Sequence, residues 1–145
     1  MKYFTIEELC YSETAEKLKI DNTPTEEIKE HLKILIECLL DPLREAWGSP
    51  IIVNSGYRCP ILNKAIGGVQ TSAHLSGWGV DISPKNKKME EFKKFVVDFI
   101  KTKFWDQCIL ESRGEFGTNN YVEWIHLSLY NNSGKQRKMI FSIEK

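Results

Sequence analysis

His74 and His126 are two of only three histidines in a chain of 145 residues, and one acid, Asp81, lies between the apolar residues Val80 and Ile82. An ionised carboxylate in such a run is costly to bury unless it is paired or bound to a metal. A zinc ion supplies such a partner, and so would a buried arginine. Imidazole is the commonest protein ligand for such an ion. Two histidines and one carboxylate leave the fourth tetrahedral position to water, as in catalytic rather than structural zinc sites. Zinc brings the pKa of bound water toward about 7, so hydroxide becomes available at neutral pH. The chemistry these types and spacings suit is hydrolysis.

Cleaving a peptide also needs a group that takes a proton from the attacking water and returns it to the leaving amine. Glu123, three residues before His126, is the best candidate. Residues three apart in a regular strand point to opposite faces. Glu123 must therefore sit at the strand's start, in a loop or bulge, to reach that water. From His126 onward, period two puts Ser128 and Tyr130 on the ligand face. Arg58, in Ser55-Gly56-Tyr57-Arg58, can stabilise an oxyanion or hold a substrate carboxylate through paired hydrogen bonds. Each residue also has a plainer reading: Asp81 as a turn former at a ragged strand end, each histidine as a satisfied structural residue, Glu123 and Arg58 as surface charges. His31, in a charged part of a helix, needs no function. Composition and spacing leave both readings open.

The elements that must position these side chains follow from periodicity. Ile28, Leu32, Leu35, Ile36, Leu39, Leu43 and Trp47 recur by threes and fours, which predicts an amphipathic helix. Thr23 is its expected N-cap, with Pro24 at the first helical position. Pro42 is expected to kink or end its regular part. Ile51–Val53 reads as a strand and residues 60 to 66 as a helical turn broken by Gly67-Gly68. Gly79–Ser83 reads as a second strand, with Val80 and Ile82 toward the core and Asp81 opposite. Met89 to Ile100 marks a second helix, and strands follow at Gln107–Leu110, Val122–Tyr130 and Lys138–Ile143. That order suits a compact α+β single domain, residues 1–145, with a mainly antiparallel sheet.

The bulk numbers narrow the function classes. Twenty basic residues balance twenty acidic ones, so no overall field favours nucleic acid or anionic membrane. The cluster Lys135, Arg137 and Lys138 reads as a solvated turn. No apolar run is long enough to span or insert in a bilayer, and acids in the first residues are incompatible with a signal peptide. A soluble product, cytoplasmic as synthesised, is expected, released to the cell wall by another factor if it works there. Cys10, Cys38, Cys59 and Cys108 form no C-x-x-C pair and read as free thiols. Nothing in the sequence speaks to oligomeric state.

Together the segments Ser72-x-His74, Gly77, Asp81, Glu123-x-x-His126 and Ser55-Gly56-Tyr57-Arg58, with Asn63 to Gly68, resemble the zinc D-alanyl-D-alanine metallopeptidases. These are carboxypeptidases, dipeptidases and phage endolysins that cut peptidoglycan peptides. The match runs from about residue 50 to 130. The resemblance implies a Hedgehog-like α+β fold and one zinc per chain on His74, Asp81 and His126. It implies Glu123 as catalytic base, Arg58 as a catalytic and substrate-binding residue that stabilises the transition state, and Ser72 as a substrate-binding residue that positions the peptide. It implies a peptidoglycan peptide containing D-amino acids as substrate, in a phage or prophage lysis enzyme or an intracellular peptidase. Gly79 stands where many relatives have Ala, residues 1 to 22 match nothing assignable, and no wall-binding repeat is visible. Two other classes remain: a non-catalytic zinc-binding recognition module, and a phage structural protein that keeps the fold without metal.

Overall fold

A computed structural model describes residues 1–145. The first residues, unassigned from sequence, form two short helices, α1 (Ile6–Cys10) and α2 (Glu13–Leu18). A hydroxyl starts each one: Thr5 accepts from the Glu8 N–H and Ser12 from the Ala15 N–H, satisfying donors a helix start leaves orphaned. Leu9 of α1 is fully buried, and its carbonyl accepts the Tyr57 N–H at 2.8 Å. A Cβ at Gly56 would lie 2.0 Å from that carbonyl oxygen, so only glycine permits the approach.

The long helix starts at Thr25 rather than Thr23. Thr25 Oγ1 accepts the Ile28 N–H at 3.2 Å, while Thr23 is tied to Asp21 in the preceding turn. The helix runs as α3 (Glu26–Leu35), a π turn (Ile36–Leu40) and α4 (Asp41–Trp47). Pro42 therefore does not end it. A proline ring collides with the carbonyl four residues back in a regular α-helix, and the wider turn before it carries the chain past that conflict. The inserted turn also brings Ile36, Leu39, Leu40 and Leu43 all into the core.

Five strands follow: β1 (Ile51–Ser55), β2 (Gly79–Pro84), β3 (Gln107–Arg113), β4 (Val122–Ser128) and β5 (Met139–Glu144). Helix α5 (Pro60–Ile66) lies between β1 and β2, and α6 (Met89–Ile100) between β2 and β3. The sheet order is β1-β2-β4-β3-β5, antiparallel except for the parallel β3–β5 pair. The fold is α+β, as expected.

Alternation along the strands divides the sheet into two faces. Val80, Ile82, Cys108, Ile125 and Leu127 enter one core with Leu32 to Leu43 of the long helix and Phe92, Val96 and Ile100 of α6. Asp81, Ile109, Glu111, Trp124 and His126 alternate with them and so occupy the opposite face. The turn holding Lys135, Arg137 and Lys138 is not simply solvated. Arg137 makes a fork to the fully buried Asp106, Nε to Oδ1 at 2.8 Å and Nη2 to Oδ2 at 2.7 Å. This clamp sets β5 beside β3. No helix is long and apolar enough to cross a membrane.

Candidate metal centre

Two neighbouring strands and one turn supply the site. In the β2–β4 ladder Asp81 is the direct cross-strand partner of His126. His74 comes from a 3-10 turn, Ala73–Ser76, that precedes β2. Ser72 Oγ caps this turn by accepting the His74 N–H at 3.2 Å. His31 holds the other end: its ring stacks on Trp78 at 4.1 Å, and its Nδ1 meets the Ser76 carbonyl at 2.7 Å. His31 is thus a packing residue that fixes the corner from which β2 departs. Gly79 lets the turn come close, since a Cβ there would lie 3.1 Å from both the Ala73 Cβ and the His126 ring. Alanine at this position would tighten the site.

The three side chains converge. Asp81 Oδ1 lies 3.1 Å from His74 Nε2 and 3.0 Å from His126 Nδ1, and the three ligand atoms all fall within 4.8 Å of one another. Tetrahedral zinc with bonds near 2.0–2.1 Å separates its ligand atoms by about 3.3 Å, so the spacing is close to what zinc requires. All three residues are buried.

Proton accounting tests the fit further. His74 Nδ1 faces the Gly56 carbonyl at 2.7 Å. A carbonyl only accepts, so the neutral ring carries its proton on Nδ1 and turns the lone pair of Nε2 toward the Asp81 carboxylate. Two acceptors in contact need a cation between them. Burial disfavours imidazolium and drives the His74 pKa down, against the opposing pull of Asp81. A divalent ion satisfies both groups, and the Nδ1–carbonyl bond is the usual outer support of a metal-bound histidine. For Asp81, burial alone would raise the pKa, but the His74 and His126 rings hold it far below the usual carboxylate range.

Asp81 also has a buried arginine beside it. Arg58 Nη2 lies 3.3 Å from Asp81 Oδ2, Nη1 lies 3.2 Å from Asn63 Oδ1, and Nε lies 3.0 Å from Ser55 Oγ. Burial lowers the Arg58 pKa, while Asp81 and then Glu111 pull it upward. Asn63 is fixed in turn through its Nδ2 on the Val69 carbonyl at 2.9 Å. A Cβ at Gly68 would come within 2.1 Å of Asn63 Oδ1, which accounts for glycine there. Asn63 was legible only as part of a familiar stretch. The N-terminal helices reach the site through Asn22, whose side chain bonds the Cys10 and Tyr57 carbonyls and accepts the Cys59 N–H at 2.7 Å.

Arg58, Asp81, Asn54, Ser55, Glu123 and Trp124 line part of a cleft of about 580 Å³. Ser72 is not among its lining residues, so the contact it makes here is the cap on the ligand turn. Glu123, the second residue of β4, lines the same cleft as Arg58 and Asp81. Strand β4 pairs with β3 from Val122 to Ser128 without a register shift, so no bulge turns Glu123 toward His126. Its carboxylate bonds Lys93 Nζ of α6 at 3.0 Å and the Tyr121 hydroxyl at 2.9 Å. The sheet face that holds Asp81 and His126 carries a further acid. Glu111 is buried, stands opposite Trp124 in the β3–β4 ladder, and accepts the Trp124 indole N–H at 3.1 Å. It was not singled out from sequence, although an acid among Cys108, Ile109 and Leu110 is the same signal that drew attention to Asp81.

No curated protein matches the sequence. A family model described as Peptidase M15 matches residues 2–128, which takes in the two N-terminal helices as well as the three clustered side chains. On this match the chain belongs to the peptidase M15 family of zinc metallopeptidases.

Proposed function

We propose that this protein is a zinc peptidase that hydrolyses peptide bonds in bacterial cell-wall peptides containing D-amino acids, in the manner of the carboxypeptidases and phage endolysins it resembles. The observation that carries the reading is the shared oxygen: Asp81 Oδ1 within 3.1 Å of two imidazole nitrogens, with His74 Nδ1 already committed to the Gly56 carbonyl. One zinc ion per chain is held by His74 Nε2, Asp81 Oδ1 and His126 Nδ1. When bound, it acts as a Lewis acid and lowers the pKa of water.

The protein's own groups do the rest. Arg58 places a fixed positive charge on the cleft wall beside Asp81, suited to a substrate carboxylate or to the oxyanion that forms as the carbonyl is attacked. Asn63 and Ser55 keep its guanidinium from turning away. Ser72 positions the peptide indirectly, by holding the turn that carries His74. The buried Asp81 and His126 keep the site on a rigid pair of strands.

The test is to measure zinc per chain and to incubate the zinc-loaded protein with peptidoglycan fragments, reading products by mass spectrometry. One zinc and new peptide ends are expected. Bound zinc without products from any fragment would favour a recognition module that shares the fold.

A further inference from the structure

We propose that Arg113, seated over Trp124, is a second anion subsite of the cleft and selects peptides that carry a carboxylate two to four residues from the bond that is cut. The inference rests on the peptidase reading and deepens it by naming the substrate class.

The charges of the cleft point to this residue. Five charged side chains line it: Arg58, Asp81, Arg113, Glu123 and Lys145. Four are matched within the protein. Arg58 lies against Asp81 at 3.3 Å, Glu123 against Lys93 at 3.0 Å, and Lys145 against Glu111 at 2.9 Å. Arg113, exposed at the end of β3, has no carboxylate partner. Its guanidinium presents an unmatched positive charge to whatever enters the cleft.

The seat is held in place. Arg113 Cζ lies 5.6 Å from the centre of the Trp124 ring, and so does Lys145 Nζ. The indole is anchored in turn, because its Nε1 bonds the buried Glu111 at 3.1 Å. The electron-rich face of the ring attracts a cation, and the planar fork of a guanidinium matches the two oxygens of a carboxylate. Lys145 brings a second cation to the same ring, but Glu111 already neutralises it.

Position separates this seat from the chemistry. In the β3–β4 ladder Ile109 pairs with His126, Glu111 with Trp124, and Arg113 with Val122. Trp124 is two positions along the strand from His126, and Arg113 is four from Ile109, about 7 and 13 Å at the usual rise. An extended peptide covers that span in two to four residues. Arg58 touches Asp81 and so serves the bond being broken. A carboxylate on Arg113 therefore belongs to a different residue of the same peptide.

The test uses the zinc-loaded protein and peptides of one peptidoglycan-type sequence. Mass spectrometry of the products identifies the cleaved bond. Paired peptides then carry either a carboxylate or its carboxamide at the second, third or fourth residue on each side of that bond. Wild type is expected to favour the carboxylate about 10-fold or more in kcat/KM at one of these positions, mainly through KM. Arg113→Gln should bring that ratio near one, and Arg113→Glu should invert it. Equal cleavage of every pair by wild type would overturn the subsite while leaving the peptidase reading intact. A preference that persists in Arg113→Gln would do the same, as would equal losses on both peptides, which mark a structural role. If Arg113→Gln melts early, Arg113→Lys decides: a smaller ratio supports the subsite and an unchanged one overturns it. A zinc-bound wild type that cleaves nothing removes the reading itself, and the subsite with it.

Discussion

Arg58 Nη2 sits 3.3 Å from Asp81 Oδ2, the carboxylate oxygen turned away from the two histidines. The two oxygens of one acid thus serve different partners: Oδ1 the imidazoles, Oδ2 the guanidinium. Arg58 therefore governs both how Asp81 is aimed and what charge the cleft presents. A planar fork is needed to reach Ser55, Asn63 and Asp81 at once, and an ammonium cannot reproduce it.

Arg58→Lys is accordingly expected to weaken zinc binding about 10–100-fold, the usual cost of losing an outer partner of a metal ligand. Its kcat/KM should fall further, by about 10²-fold or more, since the charge facing the developing oxyanion moves as well. Competition against a calibrated chelator measures the first effect and steady-state kinetics the second. Unchanged zinc affinity would mean that Asp81 is aimed without Arg58.

Asn22 ties the N-terminal helices to the loop that carries Arg58, through the Cys10 and Tyr57 carbonyls and the Cys59 N–H. Removing it leaves these buried or half-buried groups unpaired, at about 1–3 kcal/mol. Asn22→Ala should lower the unfolding free energy from urea denaturation by that amount and reduce kcat/KM with zinc content unchanged. A variant as stable as wild type would show the loop to be held by Leu9 and Gly56 alone.

Asp106 and Arg137 predict an acid-sensitive part of the stability. Burial alone would raise the Asp106 pKa, but bonds from the Arg137 side chain and backbone hold it below the ordinary value. The folded state then binds fewer protons than the unfolded state between the two pKa values, so stability falls as pH drops from about 4 through the folded value. Asp106→Asn should cost about 2 kcal/mol at pH 7 and progressively less toward pH 3. Denaturation at several pH values checks this, and an equal cost throughout would exclude the ion pair as its source.

The cysteines should separate by reactivity. All four are free; burial pushes the Cys108 thiol up to about 12, and burial with nearby Glu7 pushes Cys10 up to about 11. Only the thiolate reacts. Iodoacetamide at pH 8 should label exposed Cys38 in the native protein, whereas Cys108 should wait for denaturant. Peptide mapping reads the result, and early labelling of Cys108 would show that the core opens around β3.

The sequence by itself determined which residues could meet a metal and which kind of fold would carry them. Asp81 stood out because a carboxylate between Val80 and Ile82 needs a partner, and period two already set it opposite those two core residues. His74 and His126 followed from ligand chemistry, and the helix–strand order followed from local periodicity. Only the tertiary structure decided which further side chains share the sheet face of Asp81 and His126. That choice depends on the pairing of β3 with β4, in which Glu111 stands opposite Trp124 and Glu123 opposite Ser112. A shift of one residue exchanges the faces, and no local pattern in either strand specifies that pairing. The same holds for Arg58 against Asp81, 23 residues apart, and Asn22 against Tyr57, 35 apart. Local propensity determines which elements form, whereas contacts between distant segments exist only once the core has packed them together.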